Sequence, residues 1–218
     1  MNKNQTLLQA NNLSRSYGDF QALKPTNLSL HAGELVALTG PNGSGKTTLL
    51  LCLSGLLRPT TGEVRVDGFD LYSDEPQVRE RLAYVPDVPV FYQELTAWEH
   101  LLFMAQAHRT KDDFESRAKE LMIEFGLWEA RNLFPHAYSR GMRLKLGVVM
   151  ALIRPFSVLL LDEPSSALDV ESTAELCEKL QSLSSSGIAI LLTTHDPHFA
   201  QQLDAHPWHI RDGNLETT

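Results

Sequence analysis

The segment GPNGSGKT at residues 40–47 decides the fold of this 218-residue chain. Its spacing matches the phosphate-binding pattern G-x-x-x-x-G-K-[ST]. The apolar run Leu35–Thr39 comes directly before it and predicts a buried strand, whereas the run that begins at Lys46 predicts a helix. In such a unit the glycines let successive backbone N–H groups point at one spot, where the helix N-terminus adds its positive dipole. We therefore predict that this segment binds a nucleoside triphosphate.

Two side chains of the segment have a predicted chemical role. Lys46 is expected to place a positive charge beside the β- and γ-phosphates, and the Thr47 hydroxyl is expected to bind Mg²⁺. The alternative interpretation, a glycine-rich turn that happens to carry a lysine, leaves the strand before it and the helix after it unexplained. The residues predicted to contact the nucleotide here are Gly40, Pro41, Asn42, Gly43, Ser44, Gly45, Lys46, Thr47 and Thr48.

The composition restricts the classes of protein to which the chain can belong. Its 19 Lys and Arg against 27 Asp and Glu give a formal net charge of −8, whereas a protein that grips the nucleic-acid backbone carries a basic surface. Only two cysteines occur, Cys52 and Cys177, so a disulfide framework is excluded and a reducing compartment is expected. Because the sequence has neither a secretory signal nor a run of about 18 apolar residues, we expect a cytoplasmic protein.

Short apolar runs alternate with amphipathic stretches along the chain, a pattern typical of buried parallel strands joined by helices. The predicted strands of this kind are Leu35–Thr39, Ala83–Val85, Val158–Leu161 and Ile188–Thr193. The predicted helices begin at Lys46, near Ala97, at Asp112, just after Ser139, near Glu171 and after Asp196. This alternation predicts an α/β core.

Two regions depart from the core pattern. Leu7–Leu13 and Thr26–Leu30 alternate polar and apolar residues, as half-exposed antiparallel strands do. The stretch from about residue 88 to residue 154 holds three helical patterns and no clear strand pattern. We predict one domain over residues 1–218, in which an N-terminal antiparallel β subdomain and an α-helical subdomain at about 88–154 are attached to the α/β core.

Two acids follow the predicted strand Val158–Leu161 and form a second chemical signal. In open α/β sheets, ligands bind at the carboxyl ends of the strands, which is where Asp162 and Glu163 are expected. Asp162 can reach the Mg²⁺ shell, while Glu163 can polarise a water for in-line attack on the γ-phosphate. Adjacent carboxylates repel each other, so Mg²⁺ and Lys46 are needed to keep both ionised.

A histidine after the next predicted strand is the third signal. His195 is placed to hydrogen-bond the γ-phosphate or to hold the attacking water. Zinc binding is the alternative, because His195 and His198 are three residues apart, as are His206 and His209. Neither pair comes with cysteines or a third ligand at suitable spacing, so zinc is disfavoured and His206 and His209 are interpreted as surface residues.

The order of these three signals resembles that of the ATP-binding subunit of ABC transporters, and the resemblance covers essentially the whole chain. It implies a P-loop NTPase (RecA-like) core that binds ATP and Mg²⁺ and hydrolyses ATP. It also implies that Tyr17 stacks on adenine and that the segment Ser166–Asp169 is the D-loop, whose Asp169 lies at a dimer interface. The segment Tyr138–Met142 stands in the place of the signature LSGGQ.

The resemblance implies that the signature acts on a neighbouring chain. Ser139 and Gly141 open a predicted helix, and in the family this helix end caps the γ-phosphate bound to a partner subunit in a head-to-tail dimer. The chain departs from the family pattern here, because Arg140 replaces the first glycine and Met142 replaces the glutamine. Arg140 could add a positive charge near phosphate or could face solvent.

The Q-loop departs from the family pattern as well. Asp87 follows Tyr84-Val85-Pro86 at the position where the family usually has glutamine. An ionised carboxylate could hold Mg²⁺ more tightly or could disfavour the charge of the triphosphate. Our hypothesis is that Asp87 reaches the metal or its water, as acidic substitutes do in the exporter-type subfamilies that this stretch resembles.

The resemblance therefore implies an ATPase subunit that dimerises with an identical or related chain and drives a transmembrane permease from the inner face of the membrane. Export is favoured over import. Trp98, Phe103 and Met104 lie at helical spacing and either pack in the core or dock the permease. The alternatives are a soluble ABC-type ATPase that acts on nucleic acid or ribosomes, which the net charge disfavours, and a nucleotide switch with little turnover.

Overall fold

The computed structural model describes residues 5–110 and 113–217, which form two β-sheets and seven α-helices. The strands are β1 (Thr6–Tyr17), β2 (Phe20–His31), β3 (Leu35–Thr39), β4 (Thr61–Val66), β5 (Phe69–Asp70), β6 (Leu82–Val85), β7 (Val158–Asp162), β8 (Ala189–Thr193), β9 (His206–Arg211) and β10 (Asn214–Thr217). The helices are α1 (Lys46–Leu53), α2 (Glu75–Arg81), α3 (Ala97–Ala107), α4 (Phe114–Glu124), α5 (Arg140–Leu152), α6 (Val170–Ser185) and α7 (Pro197–Gln202).

The larger sheet has six strands in the order β10-β9-β3-β8-β7-β6. Every pair in it is parallel except β9 with β10. Strands β7 and β8 are buried along their whole length, as expected for strands covered on both faces. The four strands predicted from the apolar runs are confirmed as β3, β6, β7 and β8. Their carboxyl ends meet at one edge of the sheet, and there the chain carries its phosphate loop, both acids and His195.

The smaller sheet is antiparallel, with the order β2-β1-β4-β5. The alternating segments Leu7–Leu13 and Thr26–Leu30 lie within β1 and β2, which confirms the predicted N-terminal β subdomain. Four strands, β4, β5, β9 and β10, were not predicted. They are short and largely exposed, so they contain too few residues for a strand pattern to be recognised in the sequence. Pairing with neighbouring strands holds them in the fold.

The predicted helical subdomain is confirmed as α3, α4 and α5, with two short 3₁₀ turns, Trp128–Ala130 and Pro135–Ala137, between α4 and α5. The predicted start at Asp112 lies outside the described residues, and α4 begins at Phe114. A capping box opens α3, in which Thr96 and Glu99 each bond the other's backbone N–H. The hydrogen bonds from Thr96 hold the pKa of Glu99 below its usual value.

Two cores support these layers, one between the sheets and one beneath the helical subdomain. Cys52 lies in the core between the sheets, and Cys177 lies in the core beneath the helical subdomain. Both are buried free thiols. Burial raises the pKa of each thiol to about 11, which keeps both protonated and unreactive at neutral pH. Over the residues described, none of the helices is both long enough and apolar enough to span a bilayer.

Candidate functional site

The loop between β3 and α1 has the backbone shape that its glycines predict. Gly40, Gly43 and Gly45 all have positive φ, which side-chain-bearing residues rarely adopt. At Gly45 the reason is also steric, because a Cβ there would lie 2.6 Å from the Ala22 carbonyl oxygen. Gly45 is the N-cap of α1, and no side chain in the described part of the chain caps this helix. The first turn of α1 therefore presents its backbone N–H groups to the loop.

Lys46 and Ser44 show that this loop is built for a polar ligand. The Lys46 ammonium donates to the carbonyl oxygens of Gly40 at 2.8 Å and Pro41 at 3.2 Å, so its charge lies inside the curve of the loop. The Ser44 hydroxyl oxygen is buried and has no hydrogen-bond partner among the described residues. A buried hydroxyl is costly to leave unpaired, and a phosphate oxygen fits this position.

A depression of about 420 Å³ opens beside the loop. The residues that line it come from the N-terminal strands, the phosphate loop and the end of β7: Tyr17, Phe20, Ala22, Asn42, Gly43, Gly45, Lys46, Thr47, Thr48 and Glu163. Tyr17 is 48% exposed, and the Arg15 guanidinium lies 4.5 Å from its ring centre. The lining of the depression thus combines an aromatic ring, the phosphate loop and a carboxylate.

Asp162 is held at the end of β7 by its neighbour across the sheet. Thr193 pairs with Asp162 in the β7–β8 register, and its buried hydroxyl donates to Asp162 Oδ1 at 2.6 Å. The same hydroxyl accepts from the Glu163 N–H at 2.9 Å. Asp162 itself is 4% exposed. Thr193 therefore orients both acids at once, and Asp162 with Thr47 could hold a hard cation such as Mg²⁺.

Glu163 and His195 form a hydrogen-bonded pair. Glu163 Oε2 lies 2.7 Å from His195 Nδ1 and accepts from the His195 backbone N–H at 3.3 Å. Glu163 has a φ of 49°, an unusual conformation for a non-glycine residue, and such strain concentrates at functional sites. The Glu163 side chain is mostly buried whereas that of His195 is exposed. The Glu163 carboxylate can accept a proton from a water, and the exposed His195 imidazole beside it can hydrogen-bond to a ligand.

The signature segment lies at the start of α5, outside the lining of the depression. The Ser139 hydroxyl caps the helix by accepting from the Met142 N–H at 3.1 Å. Gly141 packs so close to the D-loop that a Cβ there would lie 2.6 Å from the Ala167 carbonyl oxygen. Tyr138 is buried, donates to the Ala130 carbonyl oxygen at 2.9 Å and has its pKa raised by burial to about 12. Ser139 and Gly141 thus form a second helix end, apart from the phosphate loop.

The remaining predicted residues lie as follows. Asp169 caps α6 by accepting from the Ser172 N–H at 2.8 Å, and hydrogen bonds from the Ser172 side chain and backbone lower the pKa of Asp169. Asp87 Oδ1 accepts from Arg140 and from the Ser166 hydroxyl, so its partners in this structure belong to the signature and the D-loop. His206 and His209 are exposed on β9, as predicted.

An apolar groove of about 320 Å³ lies beside the segment that follows β6. The apolar residues that line it include Leu56, Val85, Pro89, Val90, Phe91 and Met104. Val90 is 90% exposed and Leu56 is 69% exposed, which is unusual for apolar side chains of a folded domain. The predicted stripe on α3 divides, because Trp98 packs against Phe114 and Trp128 whereas Phe103 is exposed.

Two structural residues were missed from the sequence. His100 is 1% exposed, and its Nε2 accepts from the Tyr92 N–H at 3.0 Å while its Nδ1 lies 2.8 Å from the Thr96 carbonyl oxygen. It thereby fixes the loop at the edge of the groove. Thr193 was predicted only as the last residue of the strand Ile188–Thr193, and no sequence signal places it opposite Asp162, because the pairing of β7 with β8 sets that register.

Comparison with known proteins agrees with this geometry. A model of the ABC transporter family matches residues 23–166. The SkfA peptide export ATP-binding protein SkfE of Bacillus subtilis (strain 168) is 33% identical over 96% of this chain and 87% of its own length. The glutamine transport ATP-binding protein GlnQ of Escherichia coli (strain K12) is also 33% identical, over 96% of this chain and 89% of its own length.

A solved structure shows the same fold. It is a dimeric ATP-binding cassette in a post-hydrolysis state, bound to ADP and Pi, with 27% identity and a TM-score of 0.86 over 97% of this chain and 98% of that one. Together with the family model, this match confirms the P-loop core and the resemblance that the motifs indicated. The chain belongs to the ABC transporter family, as an ATP-binding subunit with the ATPase machinery of that family.

Proposed function

We propose that the chain hydrolyses Mg·ATP in a head-to-tail dimer and so drives transport through a separate transmembrane permease. The observation that carries this proposal is that the groups expected to surround the triphosphate lie in two separate places on the chain. The phosphate loop, Asp162, Glu163 and His195 meet at the sheet edge, whereas Ser139 and Gly141 form a helix end outside that depression. A second chain can supply the missing helix end, as the dimeric relative described above suggests.

Each residue at the sheet edge has a proposed part in the reaction. Thr47 and Asp162 would hold Mg²⁺, which would supply positive charge to offset that of the phosphates. Glu163 accepts a proton as the water oxygen forms its bond to the γ-phosphorus and the bond to the β–γ bridging oxygen breaks. Lys46 and His195 stabilise the charge that develops on the phosphoryl oxygens. ADP and inorganic phosphate leave as products.

Contacts at both ends of the nucleotide complete the proposal. Tyr17 stacks on adenine, supported by its exposed ring in the lining of the depression and by its contact with Arg15. Ser139 and Gly141 contact the γ-phosphate of the partner, and Asp169 lies at the interface between the two chains. The second chain is an identical copy or a related subunit.

The apolar groove is the proposed docking site for the permease. Its exposed side chains need a cover, and Met104 of α3 forms part of its lining. A cytoplasmic helix of the permease with apolar side chains would bury this surface, which places the chain at the inner face of the membrane. We propose export as the direction, supported by the sequence around Asp87 and Tyr138–Met142 and by the likeness to SkfE.

Complementation between two inactive variants tests the division of the site. Lys46→Ala removes the charge of the phosphate loop, and Ser139→Glu places an anion where the γ-phosphate is expected. In a mixed head-to-tail dimer, one of the two sites then combines an intact loop with an intact signature. We expect each variant alone to be inactive and the mixture to recover a clear fraction of the wild-type ATPase rate.

The control is each variant alone at the same total concentration. A double variant that carries both changes, mixed with either single variant, should recover nothing, because no site in that mixture is intact. If the mixture of single variants stays inactive although both proteins dimerise with ATP, the proposed head-to-tail site is wrong.

A further inference from the structure

Two of the three departures from the family pattern, Asp87 and Arg140, are bonded to each other. Arg140 Nη2 donates to Asp87 Oδ1 at 3.0 Å, across 53 residues of sequence. The Ser166 hydroxyl donates to the same carboxylate oxygen at 2.7 Å and accepts from Arg140 Nη2 at 3.2 Å. Three side chains from the Q-loop, the signature and the D-loop thus close a triangle of polar contacts, which we name the 87–140–166 triangle.

The backbone around this triangle is close-packed. The start of α5 touches the D-loop, since a Cβ at Gly141 would lie 2.6 Å from the Ala167 carbonyl oxygen. Two turns further along, a Cβ at Gly147 would lie 2.8 Å from Pro89 Cγ. Helix α5 therefore packs against both the segment after Asp87 and the D-loop. The 87–140–166 triangle adds polar contacts among these three parts of the chain.

The chemistry of the pair explains why both departures occur together. A glutamine at position 87 has no charge to pair with Arg140, and a glycine at position 140 has no side chain to reach Asp87. An unpaired Asp87 would add a third carboxylate beside Asp162 and Glu163 at the carboxyl ends of the strands, where like charges repel. The positive charge of Arg140 offsets the negative charge of Asp87, so each residue compensates for the charge of the other.

We propose that Asp87 is a positioning residue that acts through Arg140, fixing the N-terminus of α5 so that Ser139 and Gly141 meet the nucleotide of the partner. Asp87 then serves the dimer contact and does not hold the metal. This inference rests on the proposed function, because the dimer is where the position of Ser139 matters. The side chains of the pair are partly exposed, at 55% for Arg140 and 37% for Asp87. Because solvent screens an exposed ion pair, we expect the pair to have a moderate effect on dimerisation.

A double-mutant cycle in the Glu163→Gln background tests the link. The variants are Asp87→Asn, Arg140→Gln and the two combined, and the measured quantities are the ATP-driven dimer dissociation constant and the ATP affinity of the single chain. We expect each single change to weaken dimerisation about three- to tenfold, in line with a partly exposed pair that has an added hydroxyl contact. The combined variant should dimerise no more weakly than the more strongly affected of the two single variants. Arg140→Lys should dimerise more tightly than Arg140→Gln.

The matched control is another ion pair between the helical subdomain and the core. Lys179 donates to Glu124 at 2.8 Å and links α6 to α4 through side chains that are 23% and 43% exposed. Lys179→Gln and Glu124→Gln should leave the dimer dissociation constant within about twofold, because this pair does not touch the signature. Circular dichroism and thermal unfolding confirm that each variant is folded.

Three results would overturn the inference. One is additive loss from Asp87→Asn and Arg140→Gln, which means that the two residues act separately. Another, measured in the chain with Glu163 intact, is a shift of the Mg²⁺ concentration for half-maximal hydrolysis in Asp87→Asn but not in Arg140→Gln, as a metal ligand would give. The third is a Glu163→Gln parent that never dimerises with ATP, which overturns the proposed function as well, whereas the first two leave that function standing.

Discussion

The two helix ends that face phosphate in the proposed dimer differ in how their backbone N–H groups are used. At α1 the N-cap is Gly45, which has no side chain, so the first turn keeps its N–H groups for a ligand. At α5 the N-cap is Ser139, whose hydroxyl already accepts from the Met142 N–H. One end is open and the other is closed by its own side chain. The open end suits tight binding by a single chain, and the closed end suits a weaker contact made when two chains meet.

The charges at the two ends differ in the same sense. Lys46 at the open end points into its own loop, where a phosphate would lie. Arg140 at the closed end is turned toward Asp87 and Ser166. The local cation thus attracts an anion at the first end and supports the protein itself at the second. Specific changes at each end test this contrast, and we give them from the largest expected effect to the smallest.

Glu163→Gln tests whether both ends enclose one nucleotide, and it should have the largest effect. The amide cannot accept the proton of the attacking water, so we expect turnover to fall about 10³-fold while ATP still binds. The dimer should then persist in ATP, because hydrolysis no longer opens it. Phosphate release and light scattering with ATP measure the two effects. Glu216→Gln, on exposed β10, is the control, and wild-type hydrolysis in Glu163→Gln would contradict the role of this residue.

Lys46→Ala breaks the open end. Charge-assisted hydrogen bonds contribute about 1.5–3 kcal/mol each, so we expect the affinity of the single chain for ATP to fall about 10- to 100-fold. Titration with a fluorescent ATP analogue measures this loss. Lys24→Ala, which removes a lysine outside the loop, is the control for net charge. Wild-type affinity in Lys46→Ala would remove the phosphate-loop assignment.

Gly141→Ala changes the contact between the closed end and the D-loop. The added methyl would meet the Ala167 carbonyl oxygen at 2.6 Å, so the helix or the D-loop must move. Overpacking of this kind costs about 1–3 kcal/mol, which we expect as a lower midpoint in urea unfolding. ATP-driven dimerisation should weaken as well, because Ser139 moves with the helix. An unchanged midpoint would show that the packing at Ala167 is looser than the structure indicates.

Ser139→Ala should have the smallest effect of the four changes, and it tests whether the N-cap of α5 does more than stabilise the helix. Loss of the cap should cost about 1 kcal/mol of unfolding free energy, as at other helix starts. Thr96→Ala is the matched control, since Thr96 caps α3 through the same type of bond. We expect both variants to lose similar stability and only Ser139→Ala to lose ATPase activity at a given protein concentration. Equal activity of the two variants would mean that Ser139 is a cap and nothing more.

Much of the fold could be predicted because its signals are local. The apolar runs at β3, β7 and β8 and the start of helix α5 after Ser139 each depend on a few consecutive residues. The short exposed strands β4 and β9 carry no comparable run, and their pairing with distant strands decides them. Local periodicity therefore accounts for the core and fails at the edges.

The candidate site divides in the same way. The phosphate loop could be predicted because the residues that shape it are consecutive, and their types dictate the backbone conformation. The triangle of Asp87, Arg140 and Ser166 could not, because its members are 26 to 79 residues apart and each has an ordinary alternative in solvent. Arg140 was expected to lie near phosphate or to face solvent, and in the structure its side chain is 55% exposed and also pairs with Asp87.

The sequence by itself determined the class of fold, the phosphate loop and the identity of the acids, because these depend on residue types at fixed short spacing. Only the tertiary structure decided that Thr193 orients both Asp162 and Glu163, and that Ser139 lies apart from the depression that Lys46 and Tyr17 share. The physical reason is that such contacts depend on which strand ends and loops become neighbours when the sheet and the helical subdomain pack together.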